Sequence, residues 1–349
     1  MQLNKALLYG SAGLALTLCG AQAQADPVTS TLYYTTFSGT PNVHTTTAHL
    51  NGTSLTFTGT SDIASTAGAD GIAFAPDGNL LIGGQNTNNP AQVHEITAAG
   101  AAVASAKTTA SSNGSYHLAL SADTPTATLY TLCNTNCGAN LTRFTLSGGG
   151  LVNNSTGSDI AVSGGRNNNN QVTGLVFDTH NSTWYYGATP DDTTSGDFGT
   201  VTFSGANATL NTLLHGVAAH GVTFDPLTND IIFSSGDQID QFNPVSGTVV
   251  SSITDHTSGD EFDQSAVDGN GHLFVASNNG NLVGVDYDAA LNHLIGNGTF
   301  AETFLASNLD DIAPLSGVVP PPVPEPCTIA LLGTALFGLG LLRRRRPAM

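Results

Sequence analysis

The stretch HGVTFDPLTNDIIFSS, His220–Ser235, reads as one β-hairpin. An alternating apolar run leads into a turn built from Asp, Pro, Thr and Asn, and a second run richer in β-branched and aromatic residues returns from it. Alternation with a period of two marks a strand, and the polar cluster marks its turn. The same phrase recurs as DGIAFAPDGNLLIGG (Asp70–Gly84), TGLVFDTHNSTWYYGA (Thr173–Ala188) and DQSAVDGNGHLFVAS (Asp263–Ser277), and more weakly as YHLALSADTPTATLYTL (Tyr116–Leu132). The starts at residues 70, 116, 173, 220 and 263 lie 46, 57, 47 and 43 residues apart. Further strand candidates follow each hairpin at Gln92–Thr97, Asn140–Leu146, Gly199–Phe203, Gln238–Pro244 and Asn281–Tyr287. A period near 45 residues with about four strands per unit predicts the blades of a β-propeller. The long second interval is read as a loop over Gly148–Asn170, which carries GGG and NNNN.

The two ends of the body complete the pattern. LDDIAPLSG (Leu309–Gly317) looks like a sixth first strand with nothing after it but a Pro-rich run. The N-terminal strands TLYYTTF, NVHTTTAHL and TSLTFTG lack a first partner. Joining them makes one more blade and removes an open edge. The expected fold is therefore all-β, a six-bladed propeller over residues 26–317 closed by pairing N-terminal strands with a C-terminal one. A seven-bladed ring and a pair of β-sandwiches fit the same spacing less directly, and a β-helix would need a shorter repeat. Composition agrees: 10% charged residues and 40 glycines exclude a helical bundle, while 40% hydrophobic residues suffice for a core.

FAPDGNLLIGG, FDPLTNDIIFSSGDQIDQFNP and DGNGHLFVASNNGNLVGVD resemble the NHL and gluconolactonase-like six-bladed propellers over about Thr31–Gly317. With one Trp and no Gly-His…Trp-Asp set they do not resemble the WD-repeat kind. The resemblance implies a fold rather than an activity. A gluconolactonase-like enzyme would need a metal cage of Glu, Asn and Asp from separate inner strands, with an Asp base. No Glu falls at an aligned inner position: Glu95 belongs to a third strand, and Glu261 and Glu302 to turns or outer segments. The His and Glu acid–base pair of the streptogramin lyases likewise lacks its Glu near His117 or His220.

Innermost strands begin at one mouth of the ring's channel. Aligned on that point, the first positions are Asp70, Tyr116, Thr173, His220, Asp263 and Asp310, and the second are Gly71, His117, Gly174, Gly221, Gln264 and Asp311. Asp70, His117, His220, Asp263, Asp310 and Asp311 are thus the candidate ligand or metal set. Carboxylate oxygens suit calcium, and a mixed His and Asp set suits a transition metal. The same side chains also fit a purely structural role, satisfying backbone groups near the channel. No G-x-S-x-G elbow occurs. Cys133 and Cys137 in CNTNC are expected to form a local disulfide in an oxidising, exported setting. DPLTND and DGNGH are read as hairpin turns.

Only Lys107, Arg143 and Arg166 face 25 acidic residues between Asp26 and Asp311, a net charge of −22 for the body. Such a balance repels nucleic acid and anionic lipid and favours solubility or cations.

Both ends read as addresses. MQLNKALLYGSAGLALTLCGAQAQADP has one basic residue, an apolar run and small residues ending at Ala25, the layout of a signal peptide over residues 1–25. After a Pro-rich linker (318–326), Cys327–Leu342 carries no charge. It is short for a membrane span but usable with snorkelling, and the tail 327–349 would be held cytoplasm-side by Arg343, Arg344, Arg345 and Arg346. Pro324-Glu325-Pro326, an apolar helix and a terminal Arg cluster resemble the PEP-CTERM sorting signal of Gram-negative bacteria. That resemblance implies Sec export, anchoring in the inner membrane, cleavage by an exosortase and transfer to the cell surface or an extracellular matrix. The expected function is a non-catalytic binding module for polysaccharide, a surface protein or a cation. A metal-dependent hydrolase or lyase acting on a sugar acid or lactone, and a structural matrix component, are the alternatives.

Overall fold

The computed structural model describes residues 28–314, apart from 85–91, 110–113, 122–125, 134–139, 166–171, 189–195, 218, 256–260 and 291. These residues lie within one compact unit, Ala25–Ser316. The signal peptide, the Pro-Glu-Pro linker, the apolar tail with its arginines, and Cys137 fall outside the described residues. Among those described, no helix is long and apolar enough to cross a membrane.

The hairpin phrases fold as read. The N-terminal strands are β1 (Val28–Thr36), β2 (Val43–Asn51) and β3 (Ser54–Ala64). The next sheet holds β4 (Ala69–Phe74), β5 (Leu80–Gly84), β6 (Gln92–Ile96) and β7 (Ala102–Lys107). Then come β8 (His117–Leu120), β9 (Thr128–Leu132), β10 (Leu141–Ser147), the short β11 (Gly150–Leu151) and β12 (Ser158–Gly164). β13 (Gly174–Asp178), β14 (Thr183–Ala188), β15 (Gly196–Ser204) and β16 (Asn207–Val217) follow. The last two complete sheets are β17 (Gly221–Asp225), β18 (Asp230–Ser235), β19 (Gln238–Asn243) and β20 (Thr248–Thr254), and β21 (Phe262–Val267), β22 (His272–Ser277), β23 (Asn281–Asp286) and β24 (Thr299–Phe304). β25 (Leu309–Pro314) returns to the start, where it pairs antiparallel with β1 and makes the order β25-β1-β2-β3.

Each unit is an up-and-down antiparallel meander. Two of them, β8–β12 and β13–β16, merge into one nine-stranded sheet through a parallel pairing of the outer strands β12 and β16. Here the sequence reading needs correction. Gly148–Asn170 is not a plain loop, since it supplies β11 and β12, the outermost strands of their unit. SDIAVSG is too polar to announce a strand, and pairing with β10 and β16 holds it in place.

The innermost strands pack side by side in the series β4, β8, β13, β17, β21, β25 and back to β4. The ring therefore closes around an axis. Hydrophobic side chains do not fill that axis. They form six separate wedges, one between each pair of neighbouring units. Leu32, Leu50 and Phe274 occupy one, and Tyr33, Val43 and Leu80 the next. Leu81, Leu129 and Phe144 occupy the third, followed by Leu132, Leu175 and Tyr186. Tyr185, Phe198 and Phe233 fill the fifth, and Ile232, Leu273 and Val283 the last. Middle strands are buried on both faces, which is why LLIGG, IIFSS and HLFVAS read as near-continuous apolar runs and are wholly buried or almost so. The outer strands β3, β7 and β20 are largely exposed.

Candidate functional site

The turns read from sequence carry structural hydrogen bonds. Asp225 Oδ1 accepts from Leu227 N at 3.0 Å, and Asp268 Oδ1 accepts from Asn270 N at 2.7 Å, so DPLTND and DGNGH are Asx-type turns. The latter also places His272 Nδ1 2.7 Å from Asp268 Oδ2. Cys133 is disulfide-bonded, and its expected partner Cys137 lies outside the described residues.

At the axis, the register of the inner strands brings the candidate residues together. Gly174 and Gly221 occupy the second inner position. A Cβ at either would overlap the carbonyl oxygen of the next unit's first residue, His220 or Asp263 respectively. Neighbouring strands thus approach too closely for a side chain there. Where the second position is His117 or Asp311 instead of glycine, the side chain is buried among the inner strands.

His117 opens β8, His220 directly precedes β17, Asp263 lies on β21, Asp310 and Asp311 on β25, and Asp70 on β4. His220 Nε2 stands 3.0 Å from Asp263 Oδ1, and His117 Nε2 stands 3.7 Å from the same oxygen. On its other side, His117 Nδ1 is 3.4 Å from Asp311 Oδ2. The two imidazoles meet edge to face, with centroids 5.2 Å apart. All six candidate residues are at most 5% exposed, so the set expected around an open channel mouth is buried within the ring.

Hydroxyl groups brace this cluster, and two of them, on Thr35 and Ser234, were missed in the sequence. Thr35 Oγ1 on β1 donates to the Asp70 carbonyl and accepts from Asp311 N at 3.2 Å. Ser234 Oγ on β18 donates to Asp263 O at 3.3 Å, and Thr173 Oγ1 to His220 O at 3.2 Å. Thr35 and Ser234 sit at ends of strands adjacent to the inner ones, where nothing in a linear repeat distinguishes them from other hydroxyls.

Charge is strongly redistributed in this dry site. Burial disfavours a charged His117, yet Asp311 and Asp263 outweigh that and bring it up to about 9. Burial raises Asp263 as well, but His117 and His220 draw it down to about 2. Asp310 is held well above the carboxylate range by burial, and the neighbouring Asp70, Asp263 and Asp311 add to the effect. Burial also raises Asp311, against the pull of His117. The Asp310 and Asp263 carboxyls hydrogen-bond to each other, and their opposite shifts favour the proton on Asp310 over Asp263. No glutamate joins the described axial cluster: Glu95 lies on β6 and Glu302 on β24.

Ring topology and tail together define the class: a β-propeller that carries a PEP-CTERM sorting motif. The model of the PEP-CTERM protein-sorting motif matches residues 322–346. No curated protein sequence matches the chain. Among solved structures, a chain from a nidogen–laminin complex aligns with a TM-score of 0.54 and 14% identity, covering 83% of this chain and 99% of its own. A protein assigned as a 6-phosphogluconolactonase from Bacteroides uniformis aligns with a TM-score of 0.50 and 11% identity, covering 82% and 99%. At such identities the likeness is one of fold. The motif implies that the chain is an exosortase substrate, exported and membrane-anchored before processing.

Proposed function

We propose that this protein is a propeller delivered to the cell surface or the extracellular matrix of a Gram-negative bacterium, where its body serves as a non-catalytic binding module. The sorting motif at 322–346, which begins soon after the last strand of the ring, is the observation that carries this reading. A sealed axis without an aligned glutamate favours binding over hydrolysis. The exposed rim strand β3 carries Thr56, Thr58 and Thr60, the last two also bonded to His49 and Thr46, a hydroxyl-bearing face that suits an extracellular polysaccharide.

The test uses the full-length chain expressed in a Gram-negative host with and without an active exosortase. The mass of the C-terminus and the protein's accessibility to added protease are followed. With the exosortase the segment after Pro324-Glu325-Pro326 is expected to be lost and the body to become surface-accessible, while Glu325→Ala keeps the intact chain in the membrane. An unprocessed tail in the presence of the active enzyme rules the delivery route out. Binding is checked by retention of the processed protein on the producing strain's own matrix polysaccharide, and equal retention of a T56A/T58A/T60A variant would remove the rim from the account.

A further inference from the structure

We propose that the axial cluster is a binding site for one divalent transition-metal ion of the zinc type, held by His117 Nε2, His220 Nε2 and Asp263 Oδ1. Three observations carry it. First, one ligand atom from each of these three residues lies within 4.8 Å of the others. A tetrahedral ion with bonds near 2.0–2.1 Å sets its ligands about 3.3 Å apart. Two of the edges, 3.0 Å and 3.7 Å from Asp263 Oδ1 to the imidazoles, bracket that length. Even the widest separation needs to close by no more than about 1.5 Å, within the reach of side-chain rotation.

Second, His117 is 3% exposed and its Nε2 has no hydrogen-bond partner in the protein. With Nδ1 turned toward the Asp311 carboxylate, that nitrogen is the one aimed at the Asp263 oxygen, and an arriving ion would take the place of the proton that the neighbouring carboxylates favour on this imidazole. An imidazole nitrogen and a carboxylate oxygen facing each other in a buried interior call for a cation between them, a proton or a metal ion. Third, the surroundings have the form of a metal site's outer shell. A carboxylate fixes the ring orientation of His117 through its far nitrogen, and Asp310 hydrogen-bonds to the ligating carboxylate of Asp263. Two nitrogens and one oxygen favour a borderline-soft ion over calcium, which asks for six to eight oxygen ligands. The three ligands come from three different units, so the ion would tie the ring across its axis.

The experiment uses the purified full-length chain in mild detergent, stripped with a chelator and titrated separately with zinc, cobalt and calcium. Metal per chain is counted after dialysis, the cobalt form is examined by visible absorption, and thermal unfolding is recorded. One zinc or cobalt per chain is expected, with intense tetrahedral cobalt bands and a thermal midpoint higher by about 5 °C or more at saturation. H220Q abolishes this binding, and D311N, which leaves every ligand in place, weakens it about 10–100-fold. Should H220Q fail to fold, X-ray absorption at the zinc edge of the unaltered protein decides, two imidazoles being required. Calcium binding without zinc, a folded wild-type chain that takes up neither, or uptake unchanged in a folded H220Q overturns the proposal. The last two results would leave a proton as the cation between His117 and Asp263.

Discussion

Gly221 is a small residue with a large positional burden. A Cβ there would overlap the Asp263 carbonyl oxygen and crowd the Gln264 backbone, neither of which can swing aside as a side-chain tip would. Gly221→Ala is therefore expected to displace β21 and cost about 1–3 kcal/mol, as overpacking of a tight interior does. Denaturant unfolding reads this as a lower midpoint, and an unchanged midpoint would show that the strands have slack. The residue scale also shows what a linear reading can find. Aligning the starts of the inner strands places His117, His220 and Asp263 in one candidate set with Asp70, Asp310 and Asp311, because each unit delivers its first residues to one place. The pairings are another matter. His117 and Asp311 are 194 residues apart, and only the closed ring brings them to 3.4 Å. Their burial was equally hidden, since polar residues at strand starts suggest a wet opening.

The elements differ in how much of themselves they announce. Hairpins such as β17–β18 were legible because turn chemistry and apolar pattern agree locally. β12 was not, because its stability is lent by β10 and β16 rather than by its own sequence. β25 was legible only as an absence, a first strand without successors. Its contribution is nonetheless large: Leu309 and Ile312 join the wedge core with Leu32 and Phe274, and its backbone pairs with β1. Two truncations test that contribution. A chain ending at Ser316 keeps β25 and is expected to unfold in one sharp thermal transition. A chain ending at Asn308 exposes the edge of β1, and should melt broadly and be cut quickly by protease. Indistinguishable melting of the two would mean that the ring holds without its last strand.

Across the whole molecule, the acidity is largely internal. Among the described residues thirteen carboxylates are buried, so the surface is less negative than the composition suggests. Away from the axis, burial raises Glu95, Asp225, Asp230 and Asp240 above their ordinary values. A carboxyl kept neutral in the fold but ionised in the unfolded chain adds stability at acid pH. That stability is lost as pH rises from about 4 through the raised folded value. His94, lowered by burial, works the other way below about 6.5, as one group against several. The axial groups reinforce the trend, with Asp263 opposing it only below about 4. In the presence of a chelator, the thermal midpoint is expected to be higher at pH 5 than at pH 8. A lower midpoint at pH 5 would show that the buried acids are ionised and compensated in the fold.

The pairing of β1 with β25 sets the order of assembly against the order of synthesis. Leu32 waits for Pro314, its neighbour across the sheet, which leaves the ribosome 282 residues later. A chain emerging N-terminus first therefore has no finished product to release until its final strand is free. Only seven residues separate that strand from the sorting motif. Closing the circle and reaching the membrane signal thus become nearly simultaneous events, so a protease that reads the tail also reads, in effect, that the whole protein has arrived.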